Sequence, residues 1–170
     1  MINTIMRFCP QCGREHVRWV TLKEFRCDDC DFVFFKNPAA AAAAIIEWND
    51  EILLTVRHRD PGKGMLDLPG GFIDPKENAE DGLARELEEE LGWRPPSMSY
   101  LFSFPNTYLF RGIEYHTLDM IFLITLTEKP ILHANDDVAA VQWSPKAIDH
   151  SRIAFESVKN ALAQYASKRT

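Results

Sequence analysis

The chain has 170 residues, of which 46% are hydrophobic and 26% are charged, and its formal net charge is −6. This length is enough for one domain with a sizeable hydrophobic core and a small additional module. The acidic net charge argues against nucleic-acid binding over the whole surface, because basic side chains must neutralise the phosphates. Binding through a local basic patch is still compatible with this composition. The longest apolar run, residues 39–46, has eight residues. A membrane span needs roughly 20, so we expect no membrane anchor and a cytoplasmic location.

The four cysteines lie within the first thirty residues as two Cys-x-x-Cys pairs separated by 14 residues: Cys9, Cys12, Cys27 and Cys30. This spacing is typical of a tetrahedral four-cysteine zinc site, in which a hairpin over residues 16–25 brings two cysteine turns together. A redox pair is the alternative, but the helical pattern that follows such a pair in thioredoxin-like proteins is missing. We therefore predict a structural Zn²⁺ in a small module, residues 1–36.

An alanine-rich run follows Pro38, with six alanines and then Ile45 and Ile46. Alanine favours a helix, but proline holds the preceding residue extended and the run ends in β-branched side chains. We predict a buried strand over residues 39–46, with a short helix as the alternative. Residues 52–59 are predicted to form its hairpin partner.

The most acidic part of the chain is residues 71–93, which hold eight acidic and two basic side chains. Asn78 is suited to an N-cap, and Gly92 stands where a helix commonly ends, so we predict a helix over residues 79–91. Its buried stripe is expected to consist of leucines: Leu83, Leu87 and Leu91.

Glu86, Glu89 and Glu90 border this stripe at positions i, i+3 and i+4. Carboxylates so close together repel one another unless a cation neutralises them, and oxygen ligands suit Mg²⁺ or Mn²⁺ better than Zn²⁺. Glu88 is expected to face solvent within reach of Arg85. From this helix alone, a solvated glutamate-rich face is the alternative interpretation.

The remaining part of the chain has the patterns of a sheet and one amphipathic helix. We predict strands over residues 98–104, 108–115, 116–126 and 138–143, and a helix over residues 153–165.

The register of residues 71–92 resembles the signature of the Nudix hydrolases. Gly71 is followed after five residues by Glu77, and seven residues later the run Arg-Glu-Leu-x-Glu-Glu-x-Gly begins at Arg85. Trp93 replaces the aliphatic residue that ends the family pattern, and as a hydrophobic residue it is not expected to disturb the metal site.

This resemblance implies an α+β fold, a Nudix α/β/α sandwich with a mixed sheet over residues 37–170, preceded by a small zinc ribbon over residues 1–36. It implies that Mg²⁺ or Mn²⁺ is held by the carbonyl of Gly71 and by Glu86, Glu89 and Glu90. Arg85 would hold a glutamate by a salt bridge, and Glu77 would have an orienting role. Glu86 and Glu89 are the candidates for the catalytic base.

The reaction implied by the resemblance is metal-dependent hydrolysis of the diphosphate linkage in a nucleoside diphosphate derivative, such as ADP-ribose, NAD(H) or a nucleotide sugar. The products are a nucleoside monophosphate and a phosphorylated second moiety. Candidate substrate contacts are Arg57 and Arg59 for phosphate, Phe104 and Tyr108 for stacking, and Asp137 as a further ligand or base. Aromatic strand residues also fit a core, and Asp137 also fits a turn.

The order of zinc ribbon and Nudix box resembles the NADH pyrophosphatases, but residues 103–110, SFPNTYLF, share little with the SQPWPFP segment of that group. This departure argues against NAD(H) specificity and leaves ADP-ribose, other nucleotide sugars or a nucleoside triphosphate as the open alternatives. The alternative function is a nucleotide-sensing or nucleic-acid-binding regulatory protein that uses the ribbon, although nucleic acid is not the favoured partner. A homodimer is a further expectation, since relatives often dimerise.

Overall fold

The computed structural model of the protein describes residues 6–168, except for the side chain of Tyr108. The chain divides into two compact units, Met1–Pro38 and Ala39–Thr170. Each unit is built on its own β-sheet. In the part of the chain that is described, no helix is long and apolar enough to cross a membrane.

The first unit is a small antiparallel sheet in the order β1-β2-β3. Its strands are β1 (Val17–Trp19), β2 (Glu24–Cys27) and β3 (Val33–Phe35). Phe25 is completely buried, and its ring meets Trp19 edge to face with 5.4 Å between centroids. Leu22 is 96% exposed, and the apolar residues of β3 are also exposed. The hydrophobic core of this unit is therefore minimal.

The second unit contains a seven-stranded mixed sheet and two α-helices. The elements are β4 (Ala39–Trp48), β5 (Glu51–Arg57), β6 (Leu66–Asp67), β7 (Gly70–Phe72), α1 (Ala79–Leu91), β8 (Ser99–Phe110), β9 (Ile113–Thr125), β10 (Val138–Pro145), a 3-10 turn (His150–Arg152) and α2 (Glu156–Ser167). The sheet order is β10-β5-β4-β9-β8, with β6 paired to β5 and β7 to β4. Only the β4–β9 pairing among these described ladders is parallel. This architecture confirms the predicted fold class.

The two helices belong to two different hydrophobic clusters, and β4 contributes to both. Ala42, Ala44 and Ile46 lie in the cluster with the leucines of α1, whereas Ile45 lies with the apolar residues of α2. Successive side chains of a strand point to opposite faces, so one strand serves both layers. The predicted strand is confirmed, and the helix alternative for the alanine run is wrong. Small side chains suit this position because helices are packed on both sides.

The predicted three strands after α1 are in fact two long ones, β8 and β9. They form an antiparallel pair that turns at Arg111 and Gly112, both of which have positive φ. Pro105 interrupts the sequence pattern but not the strand, because β8 is at the edge of the sheet, where a missing N–H donor is tolerated.

The last helix begins at Glu156, three residues after its predicted start at Ile153. Ile153 is fully buried and fits the apolar spacing, but it ends the 3-10 turn and forms a bridge with Leu66. Ile153 is therefore buried as part of the turn and not as part of the helix. The prediction placed the helix start too early because it relied on hydrophobic spacing alone.

Candidate metal and substrate site

The position of every carboxylate in the acidic helix follows from the two ends of α1. At the start, the backbone N–H of Asp81 donates to the Asn78 side chain at 2.8 Å. At the end, Gly92 has a φ of 64°, and its N–H donates to the carbonyl of Glu88. Left-handed geometry of this kind favours glycine. The predicted bounds and caps of this helix are confirmed, and they fix its register.

Arg85 is the centre of an ion-pair network on this helix. Its guanidinium donates to both oxygens of Glu77, at 2.9 and 3.0 Å, and also to Glu86 at 2.8 Å and Glu89 at 3.1 Å. A further bond at 3.0 Å reaches the carbonyl of Phe72. The bonds from Arg85, together with the Asp74 N–H, lower the pKa of Glu77 to about 2. Arg85 therefore ties the loop before the helix to two of the acids on it.

Glu88, however, does not pair with Arg85 as predicted. Its carboxylate lies 3.2 Å from Arg94, which follows the end of the helix, and both side chains are largely exposed. Arg85 turns instead towards Glu77, because the loop before the helix folds back over that side. The expectation that Glu88 faces solvent agrees with its exposure.

Gly71 lies directly against the carboxylate of Glu86. A Cβ atom at Gly71 would come within 2.5 Å of both Cδ and Oε2 of Glu86, so a larger residue here would displace the carboxylate from this position. The backbone of β7 and a helix carboxylate are thus held face to face. Two oxygen sources of this kind are suited to a hard divalent cation.

Glu90 is the most deeply buried acid of the helix, with 9% exposure, and it accepts a hydrogen bond from the N–H of Gly70 at 2.9 Å. Burial, helped by nearby Asp67 and Glu86, raises its pKa to about 8 despite that bond. Burial also raises the pKa of Glu86. Carboxylates in this setting are costly to ionise unless a cation compensates them, so the donor set fits Mg²⁺ or Mn²⁺ in chemical terms.

The three signature carboxylates do not all have the same protein partner. Glu86 and Glu89 share Arg85, whereas Glu90 accepts from Gly70. Among the described residues, the ligand atoms of the four cysteines in the other unit form a compact group, and the signature acids do not converge as closely.

The four cysteine sulfurs all lie within 4.8 Å of one another. Cys9 and Cys30 are 3.6 Å apart, and Cys12 and Cys27 are 3.7 Å apart, which is far too long for a disulfide. Sulfurs bound tetrahedrally at about 2.3 Å from Zn²⁺ would be roughly 3.8 Å from one another. The spacing of these four atoms fits a zinc ion.

A cavity of about 290 Å³ opens beside the signature loop in the second unit. Gly70 and Gly71 line it, as do Arg57 and Asp137 from the predicted substrate set. Arg59 is exposed and pairs with Asp137 at 2.7 Å.

The two predicted stacking residues are placed differently. Phe104 packs against Phe102, with 5.5 Å between ring centroids, and it does not line the cavity. The backbone of Tyr108 pairs with that of Tyr115, but its side chain is outside the described part of the structure.

Arg57 is held in place mainly by protein groups. It donates to Asp67 and to the carbonyl of Pro61, both at 2.7 Å, and it lies 4.7 Å above the ring of Phe155. Burial raises the pKa of Asp67 to about 6, against the lowering effect of Arg57. This arrangement orients the guanidinium at the cavity wall.

Several cavity residues lie outside the predicted set: Asp67, Asn106, Thr117, Asp119 and Phe155. For Thr117 and Asp119 a signal was present, since two polar residues stand at alternate positions of an otherwise apolar strand, which predicts a polar patch on one face. For Asn106 and Phe155 no local signal distinguished them from ordinary strand and loop residues.

Comparison with known proteins identifies the family of the larger unit. The model of the NUDIX domain matches residues 36–156. An ADP-ribose pyrophosphatase of Methanocaldococcus jannaschii is 34% identical over 127 residues, covering 70% of this chain and 72% of that protein. The NAD-capped RNA hydrolase NudC of Pseudomonas fluorescens is 27% identical over 143 residues, covering 81% of this chain but only 47% of that protein.

Among solved structures, a NUDIX hydrolase from Nitrosomonas europaea superposes with a TM-score of 0.70 at 26% identity. The match covers 96% of this chain and 92% of that one. The family model spans more than half of the chain, and the fold agrees with it. The chain belongs to the Nudix family.

Proposed function

We propose that this protein is a metal-dependent pyrophosphohydrolase that cleaves the diphosphate linkage of a nucleoside diphosphate derivative. The candidates are ADP-ribose, NAD(H) and nucleotide sugars, and the products are a nucleoside monophosphate and a phosphorylated second moiety. The observation that carries the proposal is the contact of Gly71 with Glu86, beside acids that Arg85 orients. The similarity to an ADP-ribose pyrophosphatase supports the choice of substrate class.

In this proposal Mg²⁺ or Mn²⁺ is held by the carbonyl of Gly71 and by Glu86, Glu89 and Glu90. When bound, the ion neutralises the diphosphate and makes a bound water more acidic. Arg85 keeps Glu86 and Glu89 in position through its bonds to both. Either of these two glutamates is suited to take the proton from the attacking water, and the half-exposed carboxylate of Glu89 has the freer access to solvent.

We further propose that residues 1–36 form a zinc ribbon and residues 37–170 form the hydrolase domain. Cys9, Cys12, Cys27 and Cys30 would hold one Zn²⁺ with no open coordination position, so its role is structural. Localisation in the cytoplasm and formation of a homodimer belong to the same proposal.

The similarity to NudC, an NAD-capped RNA hydrolase, adds one substrate to be tested, since such an RNA carries the same diphosphate linkage as NAD. It also leaves the ribbon as a candidate contact for nucleic acid. A purely regulatory protein is the less favoured alternative. A nucleotide sensor would not require the complete set of signature acids, Glu86, Glu89 and Glu90, that this chain carries together with Arg85 and Gly71.

The test is a substrate panel assayed by product identity with Mg²⁺ or Mn²⁺. It includes ADP-ribose, NADH, ADP-glucose, ATP and NAD-capped RNA, with Glu86→Gln and Glu89→Gln as site variants. Glu88→Gln is the matched control, because it makes the same change on an exposed position of the same helix. We expect release of a nucleoside monophosphate by the wild type, a loss of at least about 100-fold in both site variants, and full activity in the control.

Two results would contradict the proposal. Absence of turnover with every substrate, together with retarded migration of RNA or DNA in a gel, would favour the regulatory function. Full activity of both site variants would show that the metal-site assignment is wrong.

A further inference from the structure

The end of the cavity formed by β8 and β9 is lined by polar side chains that the proposed hydrolysis does not use. We call Asn106, Thr117 and Asp119 the polar end of the cavity. Asn106 and Thr117 are opposite one another in the β8–β9 ladder, and Asp119 follows two residues later on the same face. Ile121 continues that face into the hydrophobic core. A polar patch is therefore built into the wall of an otherwise apolar layer.

Asn106 has a largely buried side chain whose amide makes no hydrogen bond to the described protein groups. Its exposure is only 8%, and no hydrogen bond of this side chain is found within residues 6–168. The amide is not among the fully buried atoms that lack a partner, and it lines the cavity, so its donor and acceptor are open to a ligand there. Because the amide borders the cavity, a ligand there is placed to supply the partner.

Asp119 is fixed in position beside this amide. It accepts hydrogen bonds from the hydroxyl of Thr117 at 2.5 Å and from the hydroxyl of Ser157 at 2.6 Å. Ser157 is fully buried in the first turn of α2, so its bond ties the carboxylate to that helix. A carboxylate has about four acceptor sites, and two hydroxyls leave it further capacity to accept.

The charge of the cavity wall limits which group it attracts. Asp67, Asp119 and Asp137 all line the cavity, and Arg57 is already paired with Asp67. A phosphate at the polar end would meet like charge, which is unfavourable at short range. A neutral group fits instead if it donates hydrogen bonds to Asp119 and both donates to and accepts from the amide of Asn106. Sugar hydroxyls have this chemistry because each is both donor and acceptor.

The distance from the signature loop is also suitable. Phe72, next to Gly71, is opposite Ala41 in the β7–β4 ladder, and Ala41 is opposite Asp119 in the β4–β9 ladder. Two strand spacings place the two backbones about 10 Å apart. A sugar attached to a phosphate at the loop would extend in this direction.

We infer that Asn106 and Asp119 bind the hydroxyls of a substrate sugar and thereby select nucleoside diphosphate sugars over nucleoside triphosphates. This inference rests on the proposed hydrolase function. That sugar is the one attached to the second phosphate, because a nucleoside triphosphate also carries the ribose of the nucleoside and would not be distinguished by it.

The test measures kcat and KM of the full-length protein for ADP-ribose, for its two analogues that lack hydroxyls on one ribose or the other, and for ATP. The variants are Asn106→Leu and Asp119→Asn. Thr107→Val is the matched control, since Thr107 is exposed, adjacent to Asn106 and bonded only to His116 among the described side chains. Ser157→Ala removes the hydrogen bond between Asp119 and α2 but keeps the carboxylate, so it shows how much of any effect comes from that bond alone.

We expect each site variant to lower kcat/KM for ADP-ribose by about 10-fold to 100-fold, mainly through KM, as for loss of a hydrogen bond to a charged or buried group. The low rate with ATP should change by less than twofold. The analogue that lacks hydroxyls on the terminal ribose should show the same loss with the wild type, whereas the analogue that lacks them on the adenosine ribose should not. Thr107→Val and Ser157→Ala should retain most of the activity.

Three results would overturn the inference while leaving the hydrolase intact. These are site variants that process ADP-ribose within twofold of the wild type, a wild type that prefers ATP, or normal reaction of the analogue that lacks hydroxyls on the terminal ribose. If Ser157→Ala reproduced the effect of Asp119→Asn, the carboxylate would have a structural role only. Failure of the wild type with all substrates would instead reject the proposed function itself.

Discussion

The cysteine unit, Met1–Pro38, and the larger unit, Ala39–Thr170, both concentrate side chains that repel one another when ionised, but they hold them by different means. In the cysteine unit the core is the buried ring of Phe25 with the partly buried ring of Trp19, and the four sulfurs lie within 4.8 Å of one another. In the larger unit two hydrophobic clusters cover both faces of a seven-stranded sheet, and the signature acids of α1 contact Arg85 or Gly70.

This difference indicates what each metal would contribute. The small unit lacks the apolar area that a fold normally needs, so an ion there would replace a hydrophobic core. The larger unit already has its core, and Arg85 offsets the charge of the acids. An ion in the larger unit would therefore contribute chemistry to a structure that exists without it.

The largest expected effect is on the cysteine unit. Binding of Zn²⁺ contributes about 10–16 kcal/mol to the folding of small zinc modules, so Cys30→Ser or a strong chelator should unfold residues 7–36. Amide NMR spectra of the full chain should lose dispersion for these residues, whereas residues 39–168 keep the dispersion that their own core provides. Leu22→Ser, at an exposed position, is the control. A dispersed spectrum for Cys30→Ser would refute the contrast between the two units.

The second effect concerns the core that positions α1. Leu87→Ala removes a fully buried side chain from the cluster that holds the helix, and we expect a loss of about 2–5 kcal/mol in the free energy of unfolding. Urea unfolding followed by circular dichroism measures it. Ile131→Ala, at an 83% exposed position, should change the stability by less than about 0.5 kcal/mol. Equal effects of both variants would mean that the core does not support the acidic helix.

The third effect is a pH dependence caused by Asp67. Burial raises its pKa from the ordinary 3.8 to about 6, so the folded protein binds this proton more tightly than the unfolded chain does. Stability from this group is therefore greatest below about pH 4 and falls as the pH rises to 6, by roughly 1–3 kcal/mol. Asp67→Asn should remove that slope.

The measurement is urea unfolding of both proteins at several pH values, with the difference between wild type and variant as the readout. Carboxylates that do not interact with Asp67 titrate alike in both proteins and cancel in this difference. A difference that stays constant between pH 4 and pH 6 would contradict the raised pKa of Asp67.

The smallest effect is expected at the exposed end of α1. Glu88 pairs with Arg94 at 3.2 Å, but both side chains are largely exposed, and exposed ion pairs contribute at most about 1 kcal/mol. Glu88→Gln should lower the free energy of unfolding by less than about 0.5 kcal/mol in the same urea assay. A loss above 1 kcal/mol would show that the acidic helix depends on all its charges rather than on its leucines.

The parts that sequence predicted well are those determined by neighbouring residues. The bounds of α1 follow from Asn78 and Gly92, and the strand assignment of the alanine run follows from Pro38 and its β-branched end. Signals of this kind act over a few residues, so they are legible without any knowledge of the fold.

The parts that were missed depend on pairing between distant segments. Arg85 contacts Glu77 rather than Glu88 because the preceding loop folds over the helix. Asn106 and Asp119 belong to one wall only through the register of β8 and β9, and a strand register cannot be read from either segment alone. The boundaries of the signature were therefore predictable, whereas the remote end of its cavity was not.

The alanines of β4 also allow the volume of the cavity to be changed by substitution. Ala42 and Ala43 form part of its lining while carrying no charge and making no side-chain hydrogen bond. Ala43 is the less buried of the two. Ala43→Val would add two methyl groups to the cavity wall and reduce its volume without altering a carboxylate. An engineer could thus reshape the volume available to a ligand independently of the groups that perform the chemistry.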